Sequence, residues 1–178
     1  MGYEYELAER FAKSLNRKLS VVTAKDMNNL VQMLEDKEVD LIAYPLTITN
    51  EFKERVRFTE HEYITRQVLV QKNSRKKTPV KDVTELIGKE IVVVENSKYH
   101  ERLKNLNDEI GGGIKITVVD NEEDEEKLIE KVSRGEIEYT VADDNIAKIN
   151  KTYYNNINIS VPISFEQRSA WAVSLAND

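Results

Sequence analysis

Apolar side chains at Leu7, Ala8, Phe11, Ala12 and Leu15 recur at the three-to-four-residue spacing that lines one face of an α-helix. Residues 19–23 read as a short β-rich run. Asp26 stands where a helix N-cap belongs, ahead of a second amphipathic face made of Met27, Leu30, Val31 and Leu34. Val39-Asp40-Leu41-Ile42-Ala43-Tyr44 predicts a buried strand ending at Pro45. A longer strand is expected over residues 64–71, and the polar stretch 72–78 reads as a linker.

Beyond that stretch the pattern starts again. A short helix over residues 80–87 stops at Gly88, and Glu90-Ile91-Val92-Val93-Val94 is apolar enough for a strand covered on both faces. Tyr99, Leu103, Leu106 and Ile110 mark a helix closed by Gly111, Gly112 and Gly113. A strand is expected over 114–119, a helix that faces Leu128, Ile129 and Val132 inward, and a strand at Tyr139-Thr140-Val141-Ala142. The last strand, over 169–175, carries the single tryptophan, Trp171. Strands alternating with helices predict an α/β fold with mainly parallel pairing. The segment from Leu30 to Asp40 resembles the segment from Leu128 to Glu138 at a constant offset of 98 residues. Two similar lobes built on one helix-turn-strand unit would give this; so would convergence of two such units. The stretch 72–78 falls between the copies, where a lobe boundary is expected.

Composition narrows the function classes. The chain has 178 residues, enough for one ordinary domain or two small lobes, and 40% of them are apolar. A formal charge of −6 argues against a nucleic-acid partner, and Arg75, Lys76 and Lys77 form a short, solvated basic run. With no cysteine there is no disulfide framework, thiolate nucleophile or cysteine metal site. No apolar run reaches the roughly 18 residues of a membrane span. Met1 and Gly2 lead straight into a helical pattern, so an export signal or anchor is expected to lie outside this sequence.

Ligands of open α/β sheets sit beyond the carboxyl ends of strands, against helix N-termini. That rule selects Tyr44, Pro45, Leu46 and Thr47 in the first half, and Asn96, Ser97 and Lys98 in the second. It also selects Asp143 and Asp144. Asn96, Ser97 and Asp143 are equally suited to capping helices, Asp144 to compensating a helix dipole, and the acidic run 120–126 to a solvated helix start. His61 and His100 form no zinc pattern, and no nucleophile elbow or phosphate-binding glycine loop occurs. A binding protein without catalytic machinery, cofactor or metal is expected.

Several segments together resemble the family-3 extracellular solute-binding proteins. They are Gly2-Tyr3-Glu4-Tyr5-Glu6-Leu7-Ala8, Val39-Asp40-Leu41-Ile42-Ala43, Leu46-Thr47-Ile48-Thr49, Arg57-Phe58-Thr59, and the run from Gly135 to Asp143. Gln67-Val68-Leu69-Val70, Asn150 with Tyr153-Tyr154, and Ser169-Ala170-Trp171-Ala172 are similar to one branch, the solute-binding-like domain of the membrane-bound lytic murein transglycosylases F. The resemblance implies a two-lobed periplasmic-binding fold of type II, a ligand-closing clamp. Lobe one would be residues 1–71 with 170–178 and lobe two residues 72–169, joined by hinge strands at 68–71 and 170–173. It further implies that lobe one is truncated at both ends, lacking a first strand and a closing helix, and that the truncation favours a homodimer. Any membrane contact would be made through parts outside this chain.

The resemblance carries Asp143 over as the aspartate that meets a ligand ammonium, and Ser97 as the second-lobe helix start. It fails at the arginine that clamps a ligand α-carboxylate: Phe52 stands there, Arg55 is one helical turn off, and Arg57 matches another position. The expected ligand carries an amino group without the usual carboxylate contact, such as a cell-wall peptide or muropeptide. A periplasmic, cell-envelope sensor module of a peptidoglycan lytic enzyme is the reading this favours. The alternative is the amino-acid-binding component of an uptake system.

Overall fold

The computed structural model describes residues 3–176. Its elements, in chain order, are α1 (Tyr3–Ser14), α2 (Met27–Glu35), β1 (Leu41–Thr47), α3 (Asn50–Arg55), β2 (Val56–Thr65) and β3 (Gln67–Lys72). A 3-10 turn (Val83–Leu86) precedes β4 (Glu90–Val94), α4 (Lys98–Glu109), β5 (Lys115–Val119), α5 (Glu125–Arg134), β6 (Tyr139–Asp143), α6 (Asp144–Tyr153), β7 (Ile157–Asn158) and β8 (Gln167–Ser174). The chain forms two compact units. The first runs to Ile64 and resumes at Gln167; the second is Thr65–Glu166.

These limits differ from the expected ones at 71/72 and 169/170. The strand expected over 64–71 is broken at Arg66, and β3 then pairs antiparallel with both β6 and β7. Its backbone hydrogen bonds are therefore made inside the second unit, and residues 68–71 lie well within that unit. The polar stretch 72–78 is exposed, as a linker should be, but it is a loop of the second unit.

In the first unit β8 lies between β1 and β2. The β1–β8 ladder is antiparallel and slips between Ile42 and Leu46, so β1 continues through Pro45 to Thr47 instead of stopping there. A bulge is where a strand tolerates proline, which has no N–H to give the ladder. Val31 and Leu34 of α2 pack on Ile42, Leu46, Val56 and Ala172. The indole N–H of Trp171, in β8, donates to Glu4 at 2.6 Å. Residues 19–23 form no strand: Val21 and Val22 are exposed, and β-branched residues make a strand only with a ladder to join.

In the second unit β3 is central in the order β6-β3-β7, and β4 pairs with β5 in parallel. Antiparallel ladders outnumber parallel ones, contrary to expectation, because β3 runs against both of its neighbours. The Thr140 hydroxyl donates to the Val92 carbonyl at 2.6 Å and ties β6 to β4. The period-2 alternation of a strand divides the core into two layers. Leu69 and Val141 face Tyr99, Leu103 and Leu106 of α4, whereas Val68, Val70 and Ala142 face Ile129 and Val132 of α5.

The 98-residue repeat extends to conformation. Helices α2 and α5 begin at Met27 and Glu125, and β1 and β6 begin at Leu41 and Tyr139, each pair separated by that offset. Asp26 accepts from the Asn29 N–H and Asp124 from the Lys127 N–H, so both caps are built alike. Lys37 and Gly135, again equivalent, both turn through left-handed backbone at φ 58° and 78°.

Candidate functional site

Asp143 ends β6 and occupies the N-cap position of α6, yet its carboxylate caps no helix N–H. It is only 6% exposed, and a buried carboxylate needs a partner. That partner is the Lys98 ammonium, at Oδ2. Ser97 caps α4, accepting from the His100 N–H at 3.2 Å while its hydroxyl donates to the Val94 carbonyl at 2.7 Å. Asn96 turns the chain through left-handed backbone at φ 57°, and its N–H donates to His100 Nδ1 at 3.1 Å. This turn and cap set Lys98 in the first helical position. Its Nζ lies 5.4 Å from the centre of the Tyr99 ring, and the Tyr99 hydroxyl accepts from the Asp143 N–H at 3.4 Å.

Two further groups join this cluster. Glu125, in the run expected to be solvated, is half-buried. Desolvation pushes its carboxyl above the ordinary glutamate value of 4.5; Lys98 pulls it back, and Asp124 and Asp143 push it further up. Gln67 stands directly opposite Asp143 in the β3–β6 ladder; it is 4% exposed, and its Oε1 accepts no hydrogen bond. Neither residue was among those selected from the sequence. Glu125 was hidden in an acidic run, and the signal at Gln67 was an amide directly ahead of the apolar run Val68-Leu69-Val70.

The three candidates of the first unit have other surroundings. Thr47 ends β1 opposite Ser169, and Tyr44 and Phe52 are half-buried against the apolar core. Phe52 is held by the cap of α3, its N–H donating to the Thr49 hydroxyl at 3.1 Å. Arg55 is not placed to replace a missing clamp: its guanidinium forks onto Glu35 at 2.8 and 2.7 Å, which holds that carboxyl below its ordinary range. An open groove of about 640 Å³ in the second unit is lined by Arg66, Arg102, Glu109 and Phe165 among others, and by none of the candidates. Among the described residues no three His, Cys, Asp or Glu side chains are grouped to hold a metal ion, and no helix is long and apolar enough to cross a membrane.

Comparison with known proteins gives a consistent picture. A membrane-bound lytic murein transglycosylase F of Idiomarina loihiensis is 33% identical over 178 residues, 99% of this chain but 38% of the relative. Its namesake in Aliivibrio fischeri is 29% identical, again over 99% of this chain and 35% of its own length. The chain thus spans little more than a third of these relatives. An ancestral arginine-binding protein, solved with arginine bound, superposes with a TM-score of 0.75 at 21% identity, over 99% of this chain and 76% of its own. Holo ArgBP from T. maritima gives 0.74 at 23% identity, over 98% and 73%. These likenesses show the two-lobed, type II periplasmic-binding fold. The pattern of the bacterial extracellular solute-binding proteins, family 3, matches residues 1–156, and the chain belongs to that family.

Proposed function

We propose that the chain is the ligand-sensing domain of a cell-envelope lytic transglycosylase, binding a small amino-bearing solute or cell-wall peptide through Asp143. The observation that carries this reading is the state of that carboxylate. It is buried at a strand end, spared from capping, and already holds an ammonium, that of Lys98. A site that presents a desolvated carboxylate to an ammonium has the chemistry to select an amine among solutes. Asn96 and Ser97 build the turn that presents the lysine.

The ligand class follows from the missing clamp. Phe52 packs on the core where the carboxylate-binding arginine would be expected, and Arg55 is committed to Glu35. Loss of such a bidentate contact costs about 2–5 kcal/mol when its partner stays buried. This supports a peptide-like ligand over a free amino acid, and the sensor reading over an uptake component. The transglycosylase relatives support the same reading and, with it, a periplasmic location for the domain. Thermal-shift and calorimetric screens of the twenty amino acids and of muropeptides test it: muropeptides are expected to bind and free amino acids to fail. Micromolar binding of an ordinary amino acid would refute the ligand class.

A further inference from the structure

We infer that Lys98 is a built-in counter-ion that a ligand ammonium must displace from Asp143, and that Gln67 Oε1 is the second acceptor awaiting that ammonium. The inference rests on the reading of Asp143 as the amine site and adds to it a mechanism and a residue.

Residues directly opposite in an antiparallel ladder project to the same face, with Cβ atoms roughly 4.5–5.5 Å apart. Gln67 and Asp143 are such a pair. The next same-face pair along the ladder, Leu69 and Val141, lies in the layer that contains Tyr99. Gln67 therefore projects toward the face where α4 brings Lys98 to Asp143. Its carbonyl oxygen is buried and without a donor, an arrangement that native proteins avoid unless something else occupies the site. An ammonium carries three N–H donors and no acceptor. One seated on Asp143 has donors left for an amide oxygen on the same face.

The released lysine has a destination. Glu125 is half-buried and within electrostatic reach of both Lys98 and Asp143. Transfer of Lys98 from Asp143 to Glu125 would keep every charge of the cluster paired while the ligand is bound. The ligand class is then a primary amine: a quaternary or acylated amine has no set of N–H donors with which to bridge Asp143 and Gln67.

The test is calorimetry on the whole chain with alanyl-γ-glutamyl-diaminopimelate, and with the same peptide acetylated on both amino groups. Lys98→Met is expected to bind the free peptide at least tenfold more tightly than wild type. Gln67→Leu should bind it at least tenfold more weakly, and the acetylated peptide should bind none of them. Wild-type binding with unchanged or weaker binding by Lys98→Met overturns the counter-ion role while leaving the amine site intact. Unchanged binding by Gln67→Leu removes Gln67 from the site. Failure of all the proteins to bind the free peptide overturns the amine site and the counter-ion together. Because Lys98→Met leaves a buried carboxylate unpaired, the wild-type protein supplies a second measurement, reductive methylation of Lys98 followed by mass spectrometry. Saturating peptide should raise its rate several-fold, and an unchanged rate under saturation contradicts displacement.

Discussion

Replacing Asp143 with Asn keeps the side chain's shape and removes the charge that Lys98 meets. Both side chains are nearly buried, at 9% and 13% exposure, so breaking the pair should cost about 1–3 kcal/mol of folding free energy, with Glu125 still within electrostatic reach of the ammonium. Lys98→Met added to Asp143→Asn should recover most of that loss in urea unfolding, since the double variant buries no lone charge. Purely additive losses would mean the two side chains do not pair. Glu125→Gln tests the third member of the cluster. The folded carboxyl has its pKa raised, so the stability it contributes is complete below pH 4.5 and is lost as pH rises through the folded value. Wild type should therefore lose stability over that rise relative to Glu125→Gln, and parallel pH–stability curves would contradict the burial of this group. Sequence reasoning reached Asp143 and Ser97 because strand ends and caps leave a local signature. Lys98 was selected by the same rule, but its pairing with Asp143 was not legible, because a partner 45 positions away is set by the packing of β4 beside β6 and not by spacing.

At the scale of elements, the two helix-turn-strand units offer a matched experiment. Asp26→Ala and Asp124→Ala should each cost about 1 kcal/mol, because each removes an N-cap of the same construction. The turns that follow should respond in opposite directions. Gly135→Ala places a Cβ in left-handed backbone, where the nearest atom, Lys72 Nζ, lies at an undemanding 3.5 Å, so the cost of about 1 kcal/mol is conformational. Lys37→Gly relieves the same strain in the other copy and should stabilise by about 0.5–1 kcal/mol. Thermal unfolding checks the signs, and a destabilising Lys37→Gly would show that the two turns are not equivalent. Helices and their caps were legible in the sequence because the information is local. The pairing direction and the break at Arg66 were not, because an apolar run looks the same whichever neighbour it pairs with.

For the whole molecule, the fold class was legible because many weak segments fell in family order. The unit boundaries were misplaced because a polar loop, 72–78, resembles a linker whether it joins units or lies within one. Membership of the solute-binding family rests on the match over residues 1–156, and the departure at Phe52 with the Lys98–Asp143 pair shapes the proposed ligand class. The most direct test is a calorimetric titration of the chain and of Asp143→Asn with a muropeptide carrying a free amine, alongside ordinary free amino acids. The chain is expected to bind the muropeptide, Asp143→Asn to abolish this, and neither protein to bind the amino acids. Micromolar binding of a free amino acid, or full affinity for the muropeptide retained in Asp143→Asn, would contradict that expectation.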